Sequence, residues 1–319
     1  MTANRDYPID PETDGWKIVR SKPIKETPGL AFPIFIDNFN HHLTTIDVYE
    51  DGAIDCWGFV DRELFREKVE SGWVVSQPPV DSNISIFNLG VADVAAAEWS
   101  IRPAMIVEAV ESAIQILNPT SQNLLDMEGD SSEMRDGLRY AKLGLADKKP
   151  YRLSEENSER ILGSELPVFR RTEDGFLFAH LFVYADGLIE VTGDTDLQPI
   201  AELSNRFSGG DLSLSVPDGS WISLPPYGKF KTTGGHWNIK AEERLKEAAD
   251  ELEQLRGGDG SIRTCIAAHQ AFQENSTEKN KKILKETYEA VPEHLRRFCG
   301  DMDTKDRLIR RILYENKTR

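Results

Sequence analysis

The chain has three cysteines in 319 residues, Cys56, Cys265 and Cys299, and no CxxC pair. An odd, dispersed set excludes a disulfide framework and a structural zinc site built on closely spaced thiolates. The six histidines are scattered as well. His41 and His42 are adjacent, so on a strand they point to opposite faces and cannot share a metal. There is no GxSxG elbow, and no motif ties a cysteine to a histidine, so the sequence offers no catalytic residue and calls for no cofactor. Long apolar runs are missing too. The best, IRPAMIVEAVESAIQIL, carries Arg102, Glu108 and Glu111 at amphipathic-helix spacing. The start, MTANRDYPIDPETDG, has no basic stretch leading into an apolar one. Together these absences predict a cytoplasmic protein with no membrane contact and no bound metal.

Basic residues are scarce. Lys and Arg number 38 against 54 Asp and Glu, a net charge of −16. The deficit is uneven, because residues 279–319 hold 12 basic and 7 acidic side chains, a local +5, which leaves the body at −21. An acidic body repels phosphate backbones, so nucleic acid is disfavoured as a partner except through residues 279–319. The same field attracts a protein partner with a basic surface.

What the chain does contain is an echo. VYEDGAIDCWG begins at Val48 and VYADGLIEVTG at Val183. Asp-Gly between alternating apolar residues predicts a two-residue hairpin loop at Asp51-Gly52 and again at Asp186-Gly187. That register sets Tyr49 across from Ile54 and Tyr184 across from Ile189 on a core face. Val48 then opposes Asp55, and Val183 opposes Glu190, on the other face. The likeness extends outward. FPIFI matches LPVFR through Pro33 and Pro167, Gly90 matches Gly228, and Trp99-Ser-Ile-Arg102 matches Trp237-Asn-Ile-Lys240.

These matches predict a unit duplicated over residues 33–118 and 167–256. The expected class is α+β: two tandem copies of a mainly antiparallel sheet-plus-helix unit, then an all-helical C-terminal extension. The divisions are a polar segment 1–27, copy one 28–118, a helical or polar connector 119–162, copy two 163–256 and the extension 257–319. Within the connector, Ser154 is expected to cap a short helix.

The tail YEAVPEHLRRFCGDMDTKDRLIRRILY, residues 288–314, resembles a segment shared by uncharacterised bacterial proteins. The resemblance implies a bacterial setting and brings no activity with it.

Two sets of residues stand out. Asp55 and Glu190 place a carboxylate at the same hairpin position in each copy; with Trp57 they are the expected partner-binding residues, and acids facing one cleft could also serve as an acid–base pair. In copy two, PPYGKFKTTGGHW puts Lys229, Lys231, Thr232, Thr233, Gly234, Gly235 and His236 before a helix. A glycine-rich loop there could bind an anion, although the pattern is not a phosphate-binding GxxxxGK[ST] loop. Asp301, Asp303 and Asp306 lie beside Lys305, and Asp303 is read as the cap of the last helix.

The leading expectation is a non-catalytic protein of immunity or antiviral-defence accessory type, binding a protein through the acidic surface of its duplicated domains, by analogy alone. The alternative is a nucleotide- or phosphate-binding enzyme or sensor using the Gly/Lys loop. The sequence is compatible with an oligomer.

Overall fold

The computed structural model describes residues 9–21, 26–125, 132–135, 138–141, 147–300 and 303–315. Asp301 and part of the connector lie outside the described residues. The first half runs β1 (Trp16–Ser21), β2 (Glu26–Asn38), β3 (Asn40–Tyr49), β4 (Ile54–Asp55), β5 (Phe59–Val60), α1 (Arg62–Glu70), β6 (Val74–Val75), β7 (Asn83–Ile86), β8 (Gly90–Trp99) and α2 (Pro103–Leu117). A hairpin follows, β9 (Ser132–Arg135) and β10 (Leu138–Ala141). The second half runs β11 (Asp147–Leu153), β12 (Arg160–Thr172), β13 (Gly175–Tyr184), β14 (Leu188–Val191), β15 (Gln198–Pro199), α3 (Leu203–Ser208), β16 (Leu212–Ser213), β17 (Trp221–Leu224), β18 (Gly228–Trp237) and α4 (Ala241–Leu255). Element by element it repeats the first. The remainder is helical: α5 (Gly260–Glu274), α6 (Glu278–Ala290), a 3-10 stretch (Glu293–Cys299) and α7 (Arg307–Tyr314). The chain is therefore α+β, duplicated, with a helical extension.

The two copies do not keep separate sheets. Ten strands close into one barrel in the order β13, β17, β18, β8, β7, β3, β2, β1, β11, β12 and back to β13. Each copy supplies five staves and on its own would leave two open edges, with their N–H and C=O groups unpaired. Joining the copies pairs both edges. One seam is β8 with β18, where Gly228 faces Trp99 and Trp237 faces Gly90. Since Gly90 corresponds to Gly228 and Trp99 to Trp237, the contact is reciprocal, as a two-fold axis demands. A Cβ on Gly90 would lie 2.2 Å from the His236 carbonyl oxygen, and one on Gly228 2.1 Å from that of Glu98. Only glycine allows this approach. The other seam is β1 with β11, where Ile18 faces Pro150 and Arg20 faces Lys148.

Matched details hold each half together. Trp99 donates its indole N–H to the Pro78 carbonyl at 2.8 Å, and Trp237 donates to that of Val216 at 3.0 Å. Phe35 and Phe169 meet these indoles edge-on, at 71° and 80°. Outside the barrel, α2 packs on β2 and β3, and α4 on β12 and β13. α2 buries Met105, Ile106, Ala109, Val110, Ala113 and Ile114, a helical stripe against the sheet.

The Asp-Gly hairpins differ from the expected register by one residue. Val48 pairs with Ile54 and Asp47 with Asp55; in the second copy Val183 pairs with Ile189 and Phe182 with Glu190. Each loop holds three residues, Glu50-Asp51-Gly52 and Ala185-Asp186-Gly187. The Asp carboxylate accepts the N–H two residues on, Ala53 at 3.3 Å and Leu188 at 3.2 Å. Only the glycine then needs positive φ, 78° at Gly52 and 90° at Gly187. The one-residue slip moves Ile54 and Ile189 to the face of Val48 and Val183, and brings Asp55 and Glu190 to the face of Tyr49 and Tyr184. Ser154 starts no helix; turns follow it and lead into β12. β1 and β11 occupy stretches read from the sequence as a polar terminus and a connector.

Candidate ligand site in the barrel lumen

Alternation along the strands decides what faces inward. With α2 and α4 on the outer face, the lumen receives Trp16, Ile18 and Arg20 from β1, and Thr45, Asp47 and Tyr49 from β3. The second copy contributes Lys148 and Arg152 from β11, Glu165 from β12, and Phe178, His180, Phe182 and Tyr184 from β13.

Across the lumen Lys148 donates from Nζ to Asp47 Oδ2 at 2.5 Å and to Thr45 Oγ1 at 3.3 Å. Asp47 is buried, and burial pushes its carboxyl up to about 6 against the opposing pull of Lys148. Burial likewise raises Glu165 to about 7, again against Lys148. Burial pushes the Lys148 ammonium down, but the attraction of Asp47 and Glu165 wins and holds it above the ordinary lysine range. Glu165 can therefore trade a proton near neutrality.

His180 stands next to this cluster, its ring centroid 4.4 Å from that of Trp16 and 5.1 Å from that of Phe178. It is 7% exposed, and neither ring nitrogen has a hydrogen-bond partner. Burial, then the positive charge of Lys148, push its pKa down to about 3, so the imidazole is neutral. Asp47 Oδ1 is also unpartnered, and the Trp16 N–H, which closes no hydrogen bond of good geometry, is directed at Glu165 and opposes the rise of its carboxyl. His180 and Phe178 form a wall between two cavities. One, of about 410 Å³, has Asp14, Trp16, Phe178, Phe182, Tyr184 and Glu190 among its lining; the other, of about 220 Å³, is reached by Thr45 and Glu165.

The two-fold relation identifies equivalent lumenal positions. Ile18 pairs with Gly29, and Tyr151 with Leu162, one step from the matching glycine Gly163. Arg20 therefore corresponds to Arg152 and Trp16 to Lys148. Arg20 is ion-paired to Asp51, its guanidinium 4.4 Å from the Tyr49 centroid. Arg152 is ion-paired to Asp186, 5.1 Å from that of Tyr184. A Cβ on Gly29 or Gly163 would lie 2.8 Å from the Tyr49 or Tyr184 ring. The hairpin aspartates thus anchor an Arg–Tyr stack in each copy, besides forming the turn.

Of the residues singled out from sequence, Glu190 lines the larger cavity and accepts from the Tyr184 hydroxyl at 3.0 Å. Asp55 sits at the equivalent place beside Asp47 and accepts the Gly58 N–H at 3.0 Å. Trp57 lies apart, half-exposed, with ring centroids 4.9 Å from His42 and 6.2 Å from Trp73.

The Gly/Lys segment is not a loop but the seam strand β18, whose backbone pairs with β8 and β17. Apart from an irregularity at Gly234 and Gly235 its residues are paired in the ladder, and its amides are not gathered at a helix start. Lys229 is ion-paired with Glu98 at 3.1 Å, and the Lys229 and Lys231 ammoniums lie 4.7 and 5.0 Å from the Trp221 centroid. Thr232 is buried on the opposite face, and Thr233, Gly234 and His236 are exposed. Gly235 donates its N–H to Asp218 at 3.3 Å. The last helix begins after Asp306, not Asp303, and Asp306 accepts from the Tyr288 hydroxyl at 2.5 Å.

Sequence reasoning missed Trp16, Asp47, Lys148, Glu165 and His180. The available signal was a polar residue inside an apolar strand, Asp47 in TTIDVY and His180 in FAHLFVY. Among the described residues no group of three or more His, Cys, Asp or Glu could hold a metal, and no helix is long and apolar enough to cross a membrane.

Residues 16–121 and 151–259 match a family described as a domain of unknown function (DUF7638). The chain belongs to that family. Its two matched segments coincide with the two halves of the barrel, in keeping with duplication. Residues 260–319 match a second domain of unknown function (DUF7639); the described residues among them form the helical extension, which has its own small core around Cys265, Leu284, Tyr288 and Cys299. No curated protein and no solved structure matches the chain.

Proposed function

We propose that the protein binds a small organic molecule in the barrel lumen, at the cavity walled by Trp16, His180 and Glu190. The observation that carries this reading is His180, buried at the cavity wall with both ring nitrogens unpaired. A buried polar group without a partner costs about 1–3 kcal/mol, and a ligand that supplies the partner recovers it. The surrounding aromatic rings add apolar area, and the neighbouring carboxyls fix orientation.

A thermal-shift screen of small organic molecules and nucleotides tests the reading, because a ligand that binds only the folded state raises the melting temperature. Hits should lose their effect in His180→Leu. Hits that survive His180→Leu but vanish in Lys229→Ala would move the site to the seam strand and support a phosphate-binding role there.

A second reading, docking of a basic protein partner on copy one, is favoured by a different observation. Phe39, at the tip of the β2–β3 hairpin, is fully exposed with φ 63°, and half-exposed Trp57 has φ 67°. Left-handed backbone at a non-glycine residue costs about 1 kcal/mol or more, so Phe39 is held outward at a cost to stability, while Trp57 rests against His42 and Trp73 with half its surface open. The acidic body supplies the charge for such a partner. Pulldown at low and high salt, with Trp57→Ala as control, is the test; capture indifferent to both contradicts this reading.

A further inference from the structure

We infer that the molecule held in the lumen is an organic cation. The inference rests on lumenal binding and adds the charge and shape of the ligand.

The lining of the 410 Å³ cavity includes two carboxylates, Asp14 and Glu190, and neither lysine nor arginine. Four aromatic side chains share it: Trp16, Phe178, Phe182 and Tyr184. Trp16 meets Phe182 edge-on at 64°, and Phe182 stacks along Tyr184 at 19°, so the rings form a continuous wall. Ring faces attract cations through their quadrupole, and a desolvated cage of rings with carboxylates nearby is a recognised way to hold an ammonium group.

Three further features keep the cavity hospitable to positive charge. His180 is neutral, so it does not repel a cation, and a ring nitrogen can accept an N–H. Lys148, just beyond it, is engaged by Asp47, with Asp55 adding negative charge nearby. Arg152, behind Tyr184, is neutralised by Asp186. An anion entering the same space would find only neutral donors there, chiefly the indole N–H of Trp16 and the one N–H of His180, and would meet two carboxylates. A neutral molecule would gain the rings but nothing from the acids.

Calorimetric titration of the full chain with three probes of similar size separates these cases: phenyltrimethylammonium, its uncharged isostere tert-butylbenzene, and benzoate. The expected result is that the cation binds at least about tenfold more tightly than the isostere, a difference of about 1.4 kcal/mol, and that benzoate does not bind. Glu190→Gln should erase most of that preference while leaving the isostere unchanged. If the isostere or benzoate binds as well as the cation, and His180→Leu weakens it, the inferred charge is wrong and lumenal binding stands. If none of the three binds while the thermal-shift screen gives hits that His180→Leu abolishes, the inferred charge is wrong and lumenal binding stands; if the screen gives no such hit either, lumenal binding itself is contradicted.

Discussion

Lys148 and Trp16 occupy equivalent positions in the two halves of the barrel, and they do opposite things. Lys148 crosses the lumen to Asp47 and Thr45; Trp16 lies against Phe182 and His180, the residues that correspond to that aspartate and threonine. One arm of the two-fold contact is ionic and the other aromatic. The shared backbone shows that the fold demands a contact at this place but leaves its chemistry open. Under the β2–β3 hairpin and its counterpart the same kind of contrast recurs. Copy two carries an ion network, Arg170 and Arg206 on Asp194 and Asp211, where copy one carries Trp57, Trp73 and Lys68, the lysine 3.8 Å from the Trp73 centroid. Duplication fixed the frame, and each half then diverged where a contact could be satisfied in two ways.

Breaking the ionic arm should have the largest effect. Lys148→Met leaves Asp47 buried without its counterion and should cost about 4 kcal/mol at pH 8. Chemical denaturation should show the loss shrinking near pH 5, where Asp47 takes up a proton, and Asp47→Asn in the same chain should restore most of it. Trp16→Ala, the matching change in the aromatic arm, should cost less stability yet abolish the thermal shift given by lumenal ligands.

Glu165→Gln sharpens the comparison through pH. The folded carboxyl holds its proton up to about 7, above its unfolded value. Its contribution is therefore complete at pH values below the unfolded pKa and is lost as pH rises through 7. The variant does not titrate, so it should gain up to about 3 kcal/mol over the wild type at pH 8 and nothing at pH 4. His180 acts in the opposite sense, fading as pH falls from 6.5 toward 3, but it is common to both chains and cancels from the difference.

Gly29→Ala and Gly163→Ala test the symmetry itself. Each pushes a methyl into the stacked tyrosine of its own copy, so each should cost about 2 kcal/mol, Gly29→Ala somewhat more because its methyl would also lie 2.7 Å from the Val48 carbonyl oxygen, against 3.1 Å to that of Val183 at Gly163. A large inequality in denaturation midpoints would show that the two stacks are not equivalent. The smallest effect belongs to Trp57→Ala. It is half-exposed, so melting should move by less than about 1 kcal/mol while capture of a basic partner falls.

The duplication was legible because matched punctuation survives: Asp-Gly turns, Pro33 with Pro167, Trp99 with Trp237. Barrel closure was not. Both seams join strands more than a hundred residues apart, and β1 and β11 share too little sequence, WKIVRS against DKKPYRL, to be seen as a pair. The hairpin register was misread because Asp-Gly suits two loop lengths, and the aspartate's bond to the following N–H selects the longer. Glu190 was found through its repeat position, although the lumenal role of its face was inverted by the same slip. Trp16 escaped notice because what marks it is the company it keeps across the barrel, which periodicity within a strand does not reveal; His180 stands out as a polar residue in the apolar run FAHLFVY, but not as a cavity wall.

The most direct test of the lumen as a binding site is heteronuclear NMR of the imidazole and indole groups during titration with phenyltrimethylammonium. Saturable shifts at His180 and at the Trp16 indole N–H, with exposed His236 and Trp57 unmoved, are the outcome that lumenal binding requires. Shifts confined to Trp57, or none at His180 at saturating probe, would contradict it.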